Sequence, residues 1–388
     1  MESISLSKGG LDGAAAAAPE GVCAGQIRSA SWRQILDDSF VEEWNALTQI
    51  AVEPNPFFES WNLCPALTAF DPKGAVELVT FRQNGVLCGL LPIERAKVYY
   101  GYLIPHISAW LHDNAFCGVP LVARGAERAF WQALLRWASD STRSALLLHL
   151  MHLPEDSPLV EALSSSLEAN QPAAIVHREE RAMLRSGQSS EDYFTASMSG
   201  KKRKELRRQF NRLSDLGTVA IEREKGSTQI TRWIDTFLAL EAAGWKGKEG
   251  SALASNTDTE QLFRQSLAGA AKAGRLERLS LTLSGRPIAL LANFVSAPGV
   301  FSFKTTFDED YARFSPGVLL QRENLKLLDN SAIEWADSCA AADHPMIERI
   351  WREKRSIVRI NVGLGGALRQ TAFKHMIRAE NGSEDFGQ

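Results

Sequence analysis

The stretch LERLSLTLSGRPIALLANFVSAPGVFSFKTTFDEDYARFSPGVLLQRENLKLLDN, residues 276–330, decides the fold. Apolar and polar positions alternate over residues 276–283, and a Ser284-Gly285 turn leads into the apolar run 287–295, which predicts an antiparallel hairpin. An Ala-Pro-Gly turn then reverses the chain into residues 300–306, which are rich in the aromatic and β-branched side chains that suit strands. The stretch therefore begins with three predicted strands.

A helix is predicted directly after these strands, with Ser315 as its N-cap and Pro316 at its first position. Val318, Leu319 and Leu325 fall at helical spacing on one apolar face. The start of a helix exposes unpaired backbone N–H groups and the positive end of its dipole, and Gly317 would let a phosphate approach them closely. The sequence indicates a pyrophosphate seat here; the alternative is that Ser-Pro-Gly simply begins a packed helix.

These residues also resemble a known family. The pattern consists of Phe303-Lys304, Phe307-Asp308, Tyr311-Ala312 and Ser315-Pro316-Gly317-Val318-Leu319-Leu320. It is similar to the signature of the BioF2-like, or cellulose-biosynthesis CelD-type, branch of the GNAT acyltransferases, which is related to the FemABX aminoacyltransferases. In GNAT proteins the loop before this helix binds the pyrophosphate of acyl-coenzyme A through backbone amides. The resemblance therefore implies a cofactor-binding segment of seven residues, Arg313, Phe314, Ser315, Pro316, Gly317, Val318 and Leu319. The segment keeps the Arg and one Gly of the usual pattern at altered spacing. FemABX relatives use a charged tRNA as donor instead, and this is the alternative.

Two copies of one unit are expected along the chain. Asn84-Gly85 between apolar runs predicts a hairpin that parallels the one at Ser284-Gly285. The resemblance implies an α/β (α+β) fold of two tandem GNAT-like domains, each a mixed, mostly antiparallel sheet flanked by helices. We expect a disordered tail at 1–25, a degenerate N-terminal domain at 26–178, an acyltransferase domain at 179–378 and a tail at 379–388. Further predicted helices cover residues 31–48, 57–61, 127–138, 201–213, 228–243 and about 347–355, and further strands cover residues 145–150 and 333–339.

Composition excludes several classes of protein. The 388 residues carry a net charge of −3, which gives no global electrostatic basis for nucleic-acid binding. The five cysteines show no C-x-x-C spacing, and the histidines, including His112 and His152, show none of the spacing expected of zinc ligands, so we expect no metal and structural histidines. The sequence shows neither a signal peptide nor eighteen consecutive apolar residues, so we expect a cytoplasmic protein without a transmembrane segment.

A basic helix is predicted at residues 201–213, where Leu206, Phe210 and Leu213 form an apolar stripe and lysines and arginines cover the remaining surface. Its charged face either is simply solvated or contacts phosphates of coenzyme A, a tRNA acceptor stem or an anionic membrane surface. The residues leave these alternatives open, and peripheral membrane contact is among them.

The candidate catalytic residues are Glu241, Asp337 and His344. Glu241 continues the apolar face of the helix at residues 228–243, and a carboxylate beside core residues has its pKa raised toward the range of a general base. The alternative is that Glu241 reaches water at the helix end. Related proteins place an acidic residue where Asp337 stands, and His344 is a second candidate base because it is the histidine nearest to this segment.

Five residues are candidates for substrate binding: Phe58, Trp245, Lys246, Lys304 and Tyr311. Phe58 lies in a segment that resembles the wall of the cleft between the halves, but an aromatic cluster that packs the core is the favoured explanation of its spacing. Trp245 and Lys246 lie in a Gly-Trp-Lys-Gly loop that resembles the border of the active cleft and is typical of lids. The resulting hypothesis is N-acyl transfer from acyl-coenzyme A, with an acetyl or longer acyl group, to an amine on a small molecule, lipid or saccharide. The alternatives are aminoacyl transfer from tRNA and a non-catalytic accessory role in exopolysaccharide or cellulose synthesis.

Overall fold

The computed structural model describes residues 25–141, 144–168 and 171–381. Most of the predicted tail at 1–25, including Cys23, and residues 382–388 of the predicted tail at 379–388 lie outside this part of the chain. Helices, turns and one sheet of thirteen strands make up the described residues, in which no helix is both long and apolar enough to cross a membrane.

The strands, in chain order, are β1 (Gln26–Ser31), β2 (Glu77–Gln83), β3 (Val86–Ala96), β4 (His106–Ala109), β5 (Leu121–Val122), β6 (Leu147–Pro154), β7 (Ala173–Leu184), β8 (Val219–Lys225), β9 (Leu276–Leu283), β10 (Arg286–Ser296), β11 (Gly299–Phe307), β12 (Trp335–Asp337) and β13 (Glu353–Gly363). The α-helices are α1 (Trp32–Ile35), α2 (Asp38–Ile50), α3 (Ser60–Phe70), α4 (Glu127–Ser141), α5 (Pro158–Ser166), α6 (Ser190–Ser197), α7 (Gly200–Ser214), α8 (Ile230–Ala243), α9 (Trp245–Lys248), α10 (Thr257–Lys272), α11 (Pro316–Asn324) and α12 (Ala367–Asn381). Short 3₁₀ helices lie at Pro56–Phe58, Leu253–Ser255, Glu309–Phe314 and Leu325–Asp329.

The same order of strands occurs twice in the sheet. Its order is β1-β2-β3-β4-β6-β13-β7-β12-β11-β10-β9-β8, with β5 on β3. In each half an antiparallel meander ends on a parallel pair, β4 with β6 in the first half and β11 with β12 in the second. The other pairings between the strands are antiparallel. The predicted fold class, a mixed and mostly antiparallel sheet flanked by helices in two tandem halves, is confirmed.

The last strand of each half pairs with the other half. Strand β13, from the end of the chain, pairs with β6, whereas β7 pairs with β12, and β7 and β13 pair with each other at the centre. The predicted boundary between residues 178 and 179 falls inside β7. The halves consequently share one continuous sheet.

Local turn chemistry explains why the predicted hairpins form. Ser284 and Gly285 both take positive φ angles, 49° and 79°, and Asn84 and Gly85 do the same at 51° and 82°. Two successive residues of this kind match the right-handed twist of the flanking strands, and glycine adopts the conformation without steric cost. Both hairpins are therefore confirmed.

The helix predicted around residues 347–355 is wrong. The chain forms turns up to Ile350, and residues 353–363 then form β13. Ile347, Ile350 and Trp351 are buried in the core of the second half, so their apolar spacing reflects packing of an irregular segment. The charged side chains Arg355 and Glu353 at the start of β13 hid its strand pattern.

Candidate active site

A gap opens between β11 and β12 in the second half. The two strands are parallel neighbours at only three positions, of which the last joins Phe301 to Asp337. Strand β11 continues to Phe307 with β10 along its other edge, while β12 ends at Asp337 and Cys339 then takes a left-handed φ of 52°. Beyond Phe301 no strand in the described part of the chain pairs with this edge of β11, and we call this interruption of the sheet the gap.

Lys304 lies on β11 just beyond the last position at which this strand pairs with β12. Its Nζ is 5.2 Å from the ring centre of Phe116 and 5.5 Å from that of Phe303, and no carboxylate in the described part of the chain forms an ion pair with it. Burial, and then the charge of Lys246, lower the pKa of Lys304 from 10.5 to about 8, although Glu241 acts in the opposite direction. Lys304 thus presents an ammonium held by aromatic faces and free of a protein anion.

The first half supplies the opposite wall through the loop between β4 and β5. Phe116 contacts Lys304 from this loop, and His112 is buried beside it. Burial, and then the charge of Lys304, lower the pKa of His112 to about 3, so its imidazole is neutral. The backbone N–H of Asn114 donates to Nδ1 of His112 at 3.3 Å, which places the ring hydrogen on Nε2. This buried Nε2 has no hydrogen-bond partner among the described residues, so it is an unused donor.

Glu241 ends the buried face of α8, as its helical spacing predicted, but both of its oxygens are engaged. Oε1 accepts from Nζ of Lys246 at 2.7 Å, and Oε2 accepts from the backbone N–H of Leu253 at 2.8 Å. This geometry ties both ends of the loop at residues 244–253 to α8. The carboxylate is better placed to hold the loop than to remove a proton from a substrate.

Trp245 and Lys246, predicted to bind substrate, both lie in this loop. Trp245 is 52% exposed, and its backbone N–H donates to Glu309 at 2.5 Å. A cavity of about 40 Å³ between the loop and β11 is lined by Glu241, Trp245, Lys246 and Thr305 among others. A cavity of about 420 Å³ borders the same loop at Gly244 and Lys248, beside Glu309, and another of about 430 Å³ lies beside α4 and α5; neither includes Lys304 in its lining.

Asp337 closes the narrow end of the gap. It is buried, accepts from the backbone N–H of Cys339 at 2.8 Å and lies 3.4 Å from Nη1 of Arg181. Arg181 comes from β7 and also donates to the carbonyl of Phe116 at 2.7 Å. Asp337 therefore fixes the loop that carries Phe116, through Arg181, rather than facing the opening as a free base.

His344 lies in the turn after β12 and keeps an unused nitrogen. Its Nδ1 is buried without a hydrogen-bond partner in the described ranges. Burial lowers the pKa of His344, and the nearby charge of Lys246 lowers it further. The charge of Lys246 also lowers the pKa of Lys304, so His344 and Lys304 both lie near the same ammonium group. A neutral imidazole in this position is suited to accept a proton.

The predicted pyrophosphate seat at residues 313–319 is only partly buried: Arg313 is exposed, whereas Phe314, Pro316, Gly317 and Leu319 are buried. Ser315 is left-handed, with φ of 54°, and its side chain does not cap α11, while its carbonyl accepts from the amides of Val318 and Leu319 at 3.0 Å each. Gly317 is buried, and a Cβ built on it would lie 2.7 Å from Sδ of Met346. Met346 therefore crowds Gly317, and the amides of Val318 and Leu319 already have an acceptor within the chain.

The remaining predicted residues lie in two different settings. Arg313 stacks over Phe314 at 4.7 Å, and the Tyr311 ring lies 6.4 Å from the Phe314 ring, so these three side chains form a cluster before α11. Phe58 is only 1% exposed, and its carbonyl accepts from Nε1 of Trp44, so its side chain offers no surface to a substrate. Its neighbour Phe57 contacts the rings of Phe116, Phe294, Phe301 and Phe303 and joins the halves behind Lys304.

Sequence reasoning missed His112, Phe116 and Arg181. No local signal singles them out, because their roles depend on Lys304 and Asp337, which lie far away in the sequence.

Comparisons with known proteins concern the domain family and the fold. Residues 200–344 match the family described as "Acetyltransferase (GNAT) domain", which confirms the resemblance seen in the sequence. The fold is similar to the crystal structure of FemX (10% identity, 87% of this chain and 98% of that chain, TM-score 0.57). It is also similar to a conserved protein of unknown function from Bacteroides thetaiotaomicron (13% identity, 84% and 97%, TM-score 0.52). A third similar structure is the C-terminal domain of a putative lysylphosphatidylglycerol synthetase from Agrobacterium fabrum (12% identity, 89% and 99%, TM-score 0.50). No curated protein matches the sequence.

Proposed function

We propose that this chain, whose second half carries a GNAT-type acetyltransferase domain, transfers an acyl group from a thioester donor, acyl-coenzyme A, to an amine acceptor bound between the halves. The observation that carries the proposal is the gap between β11 and β12 with the unpaired ammonium of Lys304 at its mouth. A gap in the middle of a sheet exposes backbone hydrogen-bonding groups to an extended ligand. The reactive end of a ligand bound there would lie near residues of both halves, since Lys304 and Phe116 meet at the gap.

The reaction needs stabilisation of negative charge and removal of one proton. The neutral amine attacks the carbonyl carbon of the thioester, a C–N bond forms, and the carbonyl oxygen becomes an oxyanion. The Lys304 ammonium and the Nε2–H of His112 are donors for this oxyanion in a site of low polarity, where such bonds are strong. The C–S bond then breaks, the thiolate leaves, and the surplus proton of the amine passes to Nδ1 of His344.

The loop at residues 244–253 acts in this proposal as a cover for the site. Glu241 and Lys246 hold the loop against α8, and Glu309 holds it at Trp245 and Lys248. The exposed indole of Trp245 would contact the acceptor when it is bound. Glu241 and Asp337 are thus assigned positioning roles and not the role of general base.

A second candidate donor is favoured by one observation. Met346 fills the space at Gly317 where the pyrophosphate of coenzyme A was predicted to bind. An aminoacyl-tRNA carries its activated acyl group as an ester and needs no pyrophosphate at this position. The exposed lysines of α7, which packs against the 3₁₀ helix at Glu309–Phe314, would then face the tRNA backbone.

A thiol-release assay tests the proposal. Acyl-coenzyme A donors of different chain length are mixed with pooled amines, and free thiol is measured for the wild type, Lys304→Met, Met346→Ala and the exposed-lysine control Lys272→Met. We expect release with the wild type and the control, and loss of release with Lys304→Met. Met346→Ala should tighten donor binding if the pyrophosphate binds at Gly317, and Gly317→Glu should abolish it.

A parallel assay with charged tRNA decides between the donors. Salt-sensitive amine acylation from tRNA, without thiol release from acyl-coenzyme A, would select the second candidate. A folded protein that binds neither donor would refute the transferase proposal and leave the accessory role predicted from the CelD-type resemblance.

A further inference from the structure

An exposed apolar turn joins β3 to β4 at the far side of the first half. Four large side chains on this turn are at least half exposed, with fractions of 52% for Val98, 58% for Tyr100, 71% for Tyr102 and 85% for Leu103. We call residues 98–103 the apolar turn. Exposed apolar residues concentrated in six positions differ from the scattered ones that any protein surface carries, and they mark an interaction site.

The apolar turn is held in a fixed shape. Tyr99 and Tyr102 exchange two backbone hydrogen bonds of 2.9 Å, and Gly101, with φ of 89°, allows the chain to reverse between them. The Tyr99 side chain is buried, and the Tyr100 hydroxyl accepts from Nη1 of Arg359 at 2.7 Å. The structure therefore presents these side chains to the outside on a supported turn.

Positive charge accompanies the apolar turn. Tyr99 packs in a small core with Phe373 and Ile377 of α12, so that helix lies beside the turn. Helix α12 contains three cations, Arg369, Lys374 and Arg378, and one acidic residue, Glu380, near its end; Lys374 and Arg378 are exposed one helical turn apart. Lys97, also exposed, directly precedes the turn. This local charge contrasts with the net charge of −3 of the whole chain.

We propose that the apolar turn and the cationic face of α12 dock the protein on an anionic membrane surface. Tyrosine, leucine and valine on a protruding turn can enter the headgroup region, while neighbouring lysines and arginines interact with anionic lipids. A second copy of the chain is a poorer partner, because a stable dimer buries about 800 Å² on each subunit and a six-residue turn offers much less. The proposal is independent of the transferase activity, since its test measures binding alone.

The test is sedimentation of the full chain with vesicles. One set contains phosphatidylcholine only, and the other contains about one third phosphatidylglycerol, which is enough to recruit polybasic surfaces. We expect binding to the anionic vesicles that weakens with salt. Tyr102→Ser combined with Leu103→Ser should lower the partition coefficient at least about tenfold through lost apolar burial. Lys374→Gln and Arg378→Gln should each lower it about fivefold.

Matched controls distinguish this surface from others. Ile50→Ser changes a side chain that is 51% exposed on α2, and Lys201→Gln with Lys202→Gln removes two cations of α7. These variants should bind vesicles like the wild type. The proposal is overturned if the wild type does not bind anionic vesicles, if the α7 variant loses binding while the turn variant keeps it, or if the turn variant instead dissociates a dimer seen by gel filtration.

Discussion

Replacing Lys304 by methionine should lower activity and raise stability at the same time. Methionine keeps an unbranched apolar chain against Phe116 and Phe303 but removes the ammonium. If Lys304 stabilises the oxyanion, its loss should reduce turnover by a factor of about 10²–10³, the usual effect of removing one such donor.

The expected gain in stability follows from the pKa of Lys304. The folded state lowers this pKa from 10.5 to about 8 and therefore disfavours the ammonium. Since each tenfold change in a protonation equilibrium corresponds to about 1.4 kcal/mol, the cost reaches at most about 3.5 kcal/mol. The side chain is only half-buried by its accessible surface, so we expect a gain of about 1–3 kcal/mol in the free energy of unfolding near neutral pH.

The lowered pKa of Lys304 also determines how the stability advantage of Lys304→Met changes with pH. Below about pH 8 the amine is protonated in both folded and unfolded chains, so the folded state carries the full cost; above pH 10.5 it is neutral in both and the cost disappears. The stability advantage of the variant should therefore shrink between these two values.

Urea unfolding at about pH 7, pH 9 and pH 10.5, beside turnover at neutral pH, measures all three effects. Lys272→Met is the control in both assays. The reasoning fails if Lys304→Met is less stable than the wild type at neutral pH, if its stability difference does not change with pH, or if it retains full turnover.

Three further predictions concern the junction between the halves and the core. Phe57→Ala and Phe58→Ala should each lower the free energy of unfolding, measured in urea, by about 3–5 kcal/mol, because both rings are fully buried. Only Phe57→Ala should also alter donor binding, since the Phe57 ring packs against Phe303, which contacts Lys304. Glu59 accepts hydrogen bonds from Ser296 and Trp61, and burial raises its pKa. The folded protein therefore holds this proton more tightly than the unfolded chain does, so the wild type should lose stability relative to Glu59→Gln as the pH rises from 4.5. Thermal unfolding at several pH values measures this difference. Burial also raises the pKa values of Cys64 and Cys117 to about 12, so these thiols should react with iodoacetamide at about pH 8 only after unfolding, as mass spectrometry would show.

Local chemistry made both hairpins and the buried face of α8 predictable. The Ser284-Gly285 and Asn84-Gly85 turns carry their own conformational preference, and the spacing of Trp233, Phe237 and Glu241 defines one face of α8. Such signals depend on neighbours within a few positions, so a single sequence contains them. Lys304 was recognised by the same kind of local pattern, as part of the resemblance around β11.

The chemistry of the site was less predictable, because it arises between segments that are distant in the sequence. The spacing of Glu241 indicates a buried carboxylate but cannot show that Lys246 and Leu253 occupy both oxygens. The lowered pKa of Lys304 depends on its burial against Phe116, which lies on a loop of the other half. Met346 lies against Gly317 and belongs to the turn just before the wrongly predicted helix at residues 347–355. Each of these facts is a property of tertiary contacts.

The exchange of terminal strands explains why two charged segments were interpreted as a domain boundary and a helix. Strands β7 and β13 carry arginines that usually indicate solvent exposure, yet Arg181 and Arg355 are almost fully buried. Arg181 binds Asp337 and the Phe116 carbonyl across the junction, and Arg355 binds Glu53 and Asp156. A buried charge is tolerated only with such partners, and losing one leaves the other uncompensated at a cost of about 3–5 kcal/mol. These ion pairs therefore fix the register between the halves, although their charged residues obscured the strands in the sequence. That register sets the distance from Phe116 to Lys304.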